Sequence, residues 1–317
     1  MRLRRILALA ALFSTLLLAC GALVTGILSR SAEADFPARG SFVHASPSRL
    51  HYLDAGKGRP LVLLHGAFGS SQDFSAALFP ALGRTHRVLA FDRPGHGWSD
   101  RIPGVVNTPR VQAEALRSAL HELGIERPVL FGFSYGGAVA LAWAVAYPDD
   151  PAALVLVNPA SHPWPGGPSR AYSLPALPVL GPLFTHTLAT PIARMLSRSS
   201  TENAFAPLPL AADFDARSPV RLELTPARFQ ANCEDLRVLA DCLAEEAPGY
   251  PRIRVPTLIL SSREDHVASF AIHSESLTRE IPGARLVVFS PAGHQLPYTH
   301  SDELVAETRR FLAEHGL

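Results

Sequence analysis

The sequence predicts an α/β fold: a mostly parallel, doubly wound sheet with an inserted helical lid. Short, uniformly apolar runs recur along the chain and are typical of strands that are buried on both faces of a parallel sheet. Helix-like segments separate these runs, and this alternation is the pattern of a doubly wound sheet. One connection, residues 159–250, is far longer than the usual link between elements, and this predicts the lid.

The individual elements follow from the apolar runs and from the turn residues that bound them. The predicted strands are 41–44, 50–53, 61–64, 87–91, 129–131, 153–157, 257–260 and 285–289, the first two forming a hairpin. The predicted helices outside the lid are 72–82, 107–123, 136–147, 270–281 and 302–314. The predicted units are a targeting segment (1–34), a first core part (35–158), a helical cap (159–250) and a second core part (251–317).

Composition narrows the function classes. The chain has 317 residues, of which 47% are hydrophobic, so it can bury one large core with an inserted lid. The net charge is only +1, and no basic stripe with interleaved aromatic residues is present, so nucleic acid is not an expected partner. His266 and His300 fit no metal-ligand spacing, and we therefore expect no metal site.

The N-terminus has the pattern of a membrane or targeting segment. Arg2, Arg4 and Arg5 precede an apolar stretch, residues 6–28, that exceeds the roughly 20 residues needed to span a bilayer. The excess of arginine before the stretch predicts a cytoplasmic N-terminus. We therefore expect a signal anchor through residues 6–28, with the main domain on the outer (periplasmic or extracellular) side.

Two alternatives to this anchor stay open. Ala32-Glu33-Ala34 fits a small-x-small cleavage site, and cleavage after it would give a secreted protein. Leu17-Leu18-Ala19-Cys20 resembles a bacterial lipoprotein box, although the bulky Leu18 departs from that pattern.

Residues 132–137, Gly-Phe-Ser-Tyr-Gly-Gly, lie between a predicted strand and an Ala-rich predicted helix. A serine on such a sharp strand-to-helix turn is a G-x-S-x-G nucleophile, and the glycines leave room where backbones approach closely. The start of the helix provides a positive dipole end beside the serine, where an oxyanion can be stabilised. Ser134 is therefore the predicted nucleophile.

A serine hydroxyl needs a base to take its proton, and the base needs a carboxylate to fix its tautomer. With this type of turn, the acid and then the histidine follow later strands of the sheet. The turn after the next-to-last predicted strand contains Asp265, the preferred acid, and Glu264, the second choice. His294, after the last predicted strand, is the predicted base. Asp92 precedes the serine and is interpreted as the residue that orders the 93–97 turn.

The oxyanion formed on a substrate needs two backbone N–H donors. Tyr135, directly after the nucleophile, is one predicted donor. The other is expected in the glycine-containing loop after the third predicted strand, with Ala67 as first choice and Phe68 as second. His65 is expected to shape this loop, and His96, which lies between glycines, is expected to be structural.

From about Ser41 to its C-terminus the chain resembles the α/β-hydrolase superfamily, and within it the capped, cofactor-free esterases, C–C-bond hydrolases and perhydrolases. The matching segments are His65-Gly66, Asp92–Ser99, Gly132–Gly137, Asp265 and Gly293-His294. The resemblance implies the α/β-hydrolase fold and a Ser–His–Asp triad. Serine at the nucleophile position excludes the chemistry of epoxide hydrolases and haloalkane dehalogenases, which carry aspartate there. Phe133 and Tyr135 replace the His and Trp of many relatives, so the pocket wall differs.

We therefore expect a serine hydrolase that cleaves a small or medium, apolar carboxylic ester through an acyl-enzyme on Ser134. The expected partners are a small-molecule ester-like substrate and the membrane. A C–C-bond hydrolase or a perhydrolase would use the same triad, the former with a basic residue such as Arg194 or Arg198 for the substrate carboxylate. The non-enzymatic alternative is a membrane-anchored binding protein with a dormant site.

Overall fold

The computed structural model describes residues 2–317, and a single eight-stranded sheet lies at its centre. In chain order the strands are β1 (Ser41–Ala45), β2 (Ser48–Ala55), β3 (Pro60–Leu64), β4 (Arg87–Phe91), β5 (Val129–Phe133), β6 (Ala153–Val157), β7 (Thr257–Ser262) and β8 (Arg285–Phe289). Across the sheet the order is β1-β2-β4-β3-β5-β6-β7-β8. The pairs β1–β2 and β2–β4 are antiparallel, and the other five pairs are parallel. This confirms the predicted mostly parallel, doubly wound sheet.

Twelve α-helices are described within residues 2–317. They are α1 (Arg2–Asp35), α2 (Leu78–Leu82), α3 (Pro109–Glu122), α4 (Tyr135–Ala146), α5 (Leu180–Phe184), α6 (Thr190–Phe205), α7 (Phe214–Arg217), α8 (Val220–Glu223), α9 (Pro226–Glu246), α10 (Ser274–Glu280), α11 (Leu296–Thr299) and α12 (Ser301–Glu314). Short 3-10 helices occupy Ser71–Phe74, Arg170–Tyr172 and Ala247–Arg252, and a π-helical turn, Thr185–Ala189, joins α5 to α6.

The strand sequences are uniformly apolar because both faces of the sheet are covered. In β3, Val62 and Leu64 belong to an apolar cluster that includes α3 and α4. Leu61 and Leu63 point to the opposite face, into a cluster that includes α2 and α12. All four side chains are fully buried. A strand with this environment has no solvent-facing side, so it shows no polar alternation.

Two predicted helices are shorter in the structure. The segment 72–82 divides into the 3-10 turn at Ser71–Phe74 and α2. The Ser75 hydroxyl donates to the Gln72 carbonyl at 2.7 Å and so competes with the backbone hydrogen bonds that would continue a helix. The predicted helix 270–281 is regular only over α10.

We call residues 158–256, which connect β6 to β7, the cap segment; it contains α5 to α9. The N-terminal helix α1 packs against this segment, where the Thr25 hydroxyl donates to the Thr187 carbonyl at 3.2 Å. Helix α1 is long and apolar enough to cross a membrane, a property that signal sequences share.

Candidate active site

Ser134 lies between the end of β5 and the start of α4, with φ 53° and ψ −115°. A non-glycine residue in this left-handed region is strained by about 1–3 kcal/mol, and such strain is typical of functional turns. A Cβ on Gly136 would collide with the carbonyl oxygen of Leu64, and one on Gly132 would lie 2.5 Å from the carbonyl oxygen of Gly136. Glycine is therefore required for α4 to start this close to β3 and β5.

The structure brings Ser134, His294 and Asp265 together. His294 Nε2 lies 3.0 Å from Ser134 Oγ, and His294 Nδ1 lies 2.7 Å from Asp265 Oδ2. The other carboxylate oxygen of Asp265 accepts the backbone N–H groups of Val267 at 2.7 Å and Ala268 at 2.8 Å. His294 and Asp265 are each only 5% exposed. With its Nδ1 proton donated to the carboxylate, the imidazole presents a free Nε2 lone pair to the serine hydroxyl.

The two other candidate acids are engaged elsewhere. Glu264, the second choice for the acid, accepts the Ser290 hydroxyl at 2.6 Å and the Ala292 N–H at 3.3 Å. The Ser290 hydrogen bond lowers the pKa of Glu264, which is ordinary for a carboxylate at the surface. Asp92 accepts the Trp98 N–H at 2.8 Å and so orders its own turn. The geometry thus favours Asp265.

The two first-choice oxyanion donors have the hydrogen-bonding state that the role needs. Tyr135 is the first residue of α4, so its N–H has no intrahelical partner. The Ala67 N–H donates to no acceptor within residues 2–317. The Phe68 N–H, the second choice, is used: it donates to Asn232 Oδ1 at 2.7 Å. Phe68 has a φ of 53°, so this hydrogen bond holds the loop in a strained conformation.

A buried ionic cluster lies behind the loop that follows β3, residues 65–69, and the sequence did not reveal it. The Arg93 guanidinium is fully buried and donates to the carbonyl oxygens of His65 (3.1 Å) and Gly66 (3.2 Å) and to Asp235 Oδ2 (3.2 Å). Burial by itself would raise the pKa of Asp235, but the His96 hydrogen bond and the nearby arginine charges lower it to about 2. Asp235 is therefore ionised, and the ion pair connects the loop to α9.

His65 is held neutral within this loop. The His65 Nε2 accepts the backbone N–H of Arg93 at 2.9 Å, so the imidazole proton lies on Nδ1. This Nδ1 donates to the Gly66 carbonyl at 2.8 Å. Burial and the Arg93 charge lower the pKa of His65 well below its usual value. His96 lies 3.0 Å from Asp235 and 3.2 Å from Glu223. Both histidines thus orient backbone and carboxylates rather than face the serine.

The side chain of Asn158, directly after β6, holds the backbone of the loop that contains His294. Its side-chain N–H donates to the His294 carbonyl at 2.9 Å, and its Oδ1 accepts the Ser262 N–H at 2.9 Å. One buried amide therefore links the carboxyl ends of β6 and β7 to the loop that contains His294.

A cavity of about 720 Å³ lies between Ser134 and the cap segment. Aromatic and aliphatic side chains dominate its wall; they include Phe68, Phe133, Trp164, Phe184, Leu196, Phe214, Phe229 and Leu236. No arginine or lysine lines the cavity within residues 2–317. Burial raises the pKa of the lining residue Asp73 to about 7 and lowers that of His273 to about 4. At pH 7 His273 is therefore neutral and Asp73 is about half ionised, so the wall offers no positive counter-charge from either residue.

The basic residues considered for a substrate carboxylate are not in this wall. Arg194 and Arg198 both lie on α6, and neither lines the cavity. Arg198 pairs with Glu202 at 3.0 Å on the same helix. Within residues 2–317, no group of three or more His, Cys, Asp or Glu side chains is placed to hold a metal ion.

Comparison with known proteins gives consistent matches over most of the chain. A family profile described as "alpha/beta hydrolase fold" matches residues 59–301. The chain is 28% identical over 280 residues to a 2-hydroxy-6-oxononadienedioate/2-hydroxy-6-oxononatrienedioate hydrolase of Comamonas testosteroni, covering 84% of this chain and 91% of the relative. A solved alpha/beta hydrolase fold protein from Burkholderia ambifaria superposes with a TM-score of 0.70 at 25% identity, covering 85% of this chain and 99% of the other. A thermophilic esterase from Thermogutta terrifontis superposes with a TM-score of 0.66 at 24% identity, over 87% and 99% of the two chains.

Proposed function

Because the chain belongs to the alpha/beta hydrolase fold family, we propose that this hydrolase cleaves a neutral, largely apolar carboxylic ester of small or medium size. The observation that carries the ester assignment is the apolar cavity next to Ser134, whose wall contains no arginine or lysine within residues 2–317. Such a wall stabilises an alkyl or aryl group by removing it from water, and it offers no counter-ion to an anionic substrate.

The proposed reaction follows from the hydrogen bonds around Ser134. His294 Nε2, 3.0 Å from Ser134 Oγ, takes the hydroxyl proton while Oγ attacks the ester carbonyl carbon. The carbonyl oxygen becomes an oxyanion that accepts the N–H groups of Ala67 and Tyr135. The Asp265 carboxylate accepts the His294 Nδ1–H and stabilises the imidazolium.

The remaining steps use the same groups in reverse. The tetrahedral intermediate expels the alcohol, and His294 protonates the alcohol oxygen as it leaves. The acyl group is then covalently attached to Ser134 Oγ. A water molecule, deprotonated by His294, attacks the acyl carbonyl, and collapse of the second intermediate releases the carboxylic acid and restores the serine hydroxyl.

A second candidate is C–C-bond hydrolysis, which the named activity of the Comamonas testosteroni relative favours. A dioate substrate carries two carboxylates, and burial of an unpaired carboxylate costs several kcal/mol. The cavity wall supplies no cation for them within residues 2–317, and it contains Asp73. This contrast makes the ester the preferred substrate class.

The experiment compares p-nitrophenyl butyrate with mono-p-nitrophenyl succinate, using the full chain in detergent micelles. The two esters share a leaving group and a four-carbon acyl chain and differ in a terminal methyl or carboxylate. We expect kcat/KM to be at least about a hundredfold higher for the neutral ester. Comparable rates, or faster cleavage of 2-hydroxy-6-oxononadienedioate than of either ester, would contradict the proposal. The Ser134→Ala variant is the control for background hydrolysis.

The proposal includes the location of the enzyme. Helix α1 acts as an uncleaved membrane anchor, with the catalytic domain on the outer side of the membrane. The support is the length and apolarity of α1 and the three arginines at its start. Carbonate extraction of membranes, followed by protease treatment of intact cells, tests both parts: the chain should stay with the membrane and be accessible from outside.

A further inference from the structure

Helix α1 has a free part and a part that contacts the cap segment. Residues 2–17 are exposed along their whole length. From Leu18 onward, positions spaced three or four residues apart become partly or fully buried, including Gly21, Thr25 and Ala32. A Cβ on Gly21 would collide with the backbone at Thr187, so the helix approaches the cap segment closely at this point.

The length of the free part fixes the depth of this contact in a bilayer. A hydrocarbon core of about 30 Å needs roughly 20 helical residues. Counted from Ile6, directly after the last of the N-terminal arginines, such a span ends near Thr25. The free residues 2–17 extend only about 24 Å, with part of that length belonging to the arginine-bearing end. The cap contact at Gly21–Thr25 therefore lies within the outer leaflet.

The side of α1 that faces away from the cap segment is apolar over the length that this depth requires. Away from the cap segment, α1 keeps large apolar side chains exposed as far as Leu23 (67% exposed) and Ile27 (59% exposed). The first charged residue after the stretch is Arg30. The lipid-facing side of the helix thus continues well past the point where the cap segment begins to touch it.

The cap segment exposes apolar side chains on both sides of its contact with α1. We call this set the apolar rim; its members are Val179, Leu180, Leu183, Ile192, Met195 and Leu196. Val179 and Met195 are 79% and 83% exposed, values that are costly for an apolar side chain in water. Because Thr187 lies in the outer leaflet when α1 spans the membrane, the neighbouring rim residues reach the boundary between head groups and acyl chains.

The rim is also an edge of the substrate cavity. Ile192 and Leu196 line the cavity and are at the same time 46% and 61% exposed. These two positions lie one helical turn apart on α6, so one face of α6 borders both the cavity and the exterior. An apolar ester that leaves the bilayer at this edge can enter the cavity without crossing water.

We infer that the apolar rim docks on the outer leaflet of the membrane and admits bilayer-dissolved esters to the cavity. This inference rests on the proposed function and deepens it: the substrate class becomes a hydrophobic ester that resides in the lipid. The rim is the docking surface, and the lipid acyl chains are its partner.

The first experiment measures how deeply the apolar rim enters the bilayer, and its readout does not depend on activity. Of the three cysteines, the buried Cys233 is kept, and the more accessible Cys20 and Cys242 are replaced by alanine. The full chain then receives either Met195→Cys or Glu126→Cys, is labelled with the thiol-reactive fluorophore NBD, and is reconstituted into phosphatidylcholine–phosphatidylglycerol vesicles. Glu126 is the control because it is exposed just before β5, at the opposite end of the sheet from the cavity. Acyl-chain spin-labelled lipid should quench NBD at Met195 strongly and leave it unchanged at Glu126. Absence of quenching at Met195 would overturn the inference.

Turnover is measured in the same vesicles. The variant with Leu183→Asp and Met195→Asp changes two rim residues that do not line the cavity. We expect hydrolysis of vesicle-dissolved 4-methylumbelliferyl octanoate, a medium-chain ester, to fall at least about tenfold, because charges at this depth oppose docking. Hydrolysis of water-soluble p-nitrophenyl acetate should stay unchanged, which also shows that the variant is folded. A pair of exposed valines outside the rim, in Val105→Asp with Val106→Asp, is the matched control.

The outcomes separate the two proposals. If the parent chain does not hydrolyse p-nitrophenyl acetate but NBD at position 195 is quenched, the esterase function is refuted and the docking surface is supported. Intact acetate hydrolysis with unchanged octanoate hydrolysis in the rim variant would refute the role of the rim alone.

Discussion

The substitution Asp265→Asn should move the imidazole proton of His294 from Nδ1 to Nε2. One carboxylate oxygen of Asp265 accepts two backbone N–H groups, from Val267 at 2.7 Å and Ala268 at 2.8 Å. In the asparagine variant only the amide oxygen can occupy that position, so the amide NH₂ must face His294. His294 Nδ1 then becomes the acceptor and Nε2 carries the proton toward Ser134. An imidazole in this tautomer cannot take the serine proton.

The size of the loss follows from this geometry. The same change in a serine protease lowers kcat by about 10⁴, which corresponds to about 5.5 kcal/mol of transition-state stabilisation. Because the two backbone donors prevent a flip of the amide, we expect a loss of similar size. The assay is p-nitrophenyl butyrate hydrolysis with the full chain, corrected for background with Ser134→Ala. Circular dichroism and urea unfolding show whether the variant is folded.

Glu264→Gln is the matched control, since it changes the neighbouring carboxylate to the corresponding amide. Glu264 contacts Ser290 and Ala292 rather than the histidine, so its variant should stay within about threefold of the parent. Asp265 does not orient the histidine if its folded asparagine variant keeps more than about a tenth of the activity, or if the large loss appears in Glu264→Gln instead.

Three further predictions concern the loop that contains Phe68, Asp73 in the cavity wall, and Gly136 beside Ser134. Asn232→Leu removes the acceptor that holds the Phe68 N–H. For p-nitrophenyl butyrate, kcat/KM per titrated active site should therefore fall by about 10- to 100-fold. If the number of titratable active sites falls and kcat/KM per site does not, the variant is misfolded and the prediction is wrong. Asp73 has a folded pKa of about 7, above its unfolded value of 3.8, so its contribution to stability is complete below the unfolded pKa and disappears as pH rises through 7. Urea unfolding should show that Asp73→Asn removes about 3 kcal/mol of stability change between pH 5 and pH 8, and an unaltered pH dependence would contradict this. Gly136→Ala forces a Cβ against the Leu64 carbonyl oxygen and should lower the free energy of unfolding by about 1–3 kcal/mol, whereas a neutral result would mean that α4 can move away from β3.

The fold could be predicted from the sequence because a strand that is buried on both faces is apolar at nearly every position. Strands such as β3 and β5 are apolar at nearly every position, and the glycines around Ser134 are required by close backbone contacts. The candidate triad was accessible for a related reason. In a parallel sheet the carboxyl ends of the strands meet at one edge, so residues after different strands, such as Asp265 and His294, are brought together.

The buried network behind the site was not accessible, because its partners are far apart in sequence. Arg93 pairs with Asp235 across 142 positions, and Phe68 with Asn232 across 164. On α9, Asn232 and Asp235 look like ordinary polar residues of a solvated helix face. They become buried only when the cap segment folds over the core, and neither helical periodicity nor turn patterns give the rotation of α9 at that contact. The contact of α1 with the cap segment was missed for the same reason.

If Ser134 is an activated nucleophile, a fluorophosphonate should label it covalently. The measurement uses the full chain in detergent, and mass spectrometry locates the modified residue. We expect one added phosphonyl group, on the peptide that contains Ser134, and no labelling of the folded Ser134→Ala variant. A folded parent chain that is not labelled, or a label that persists in the Ser134→Ala variant, would contradict this expectation.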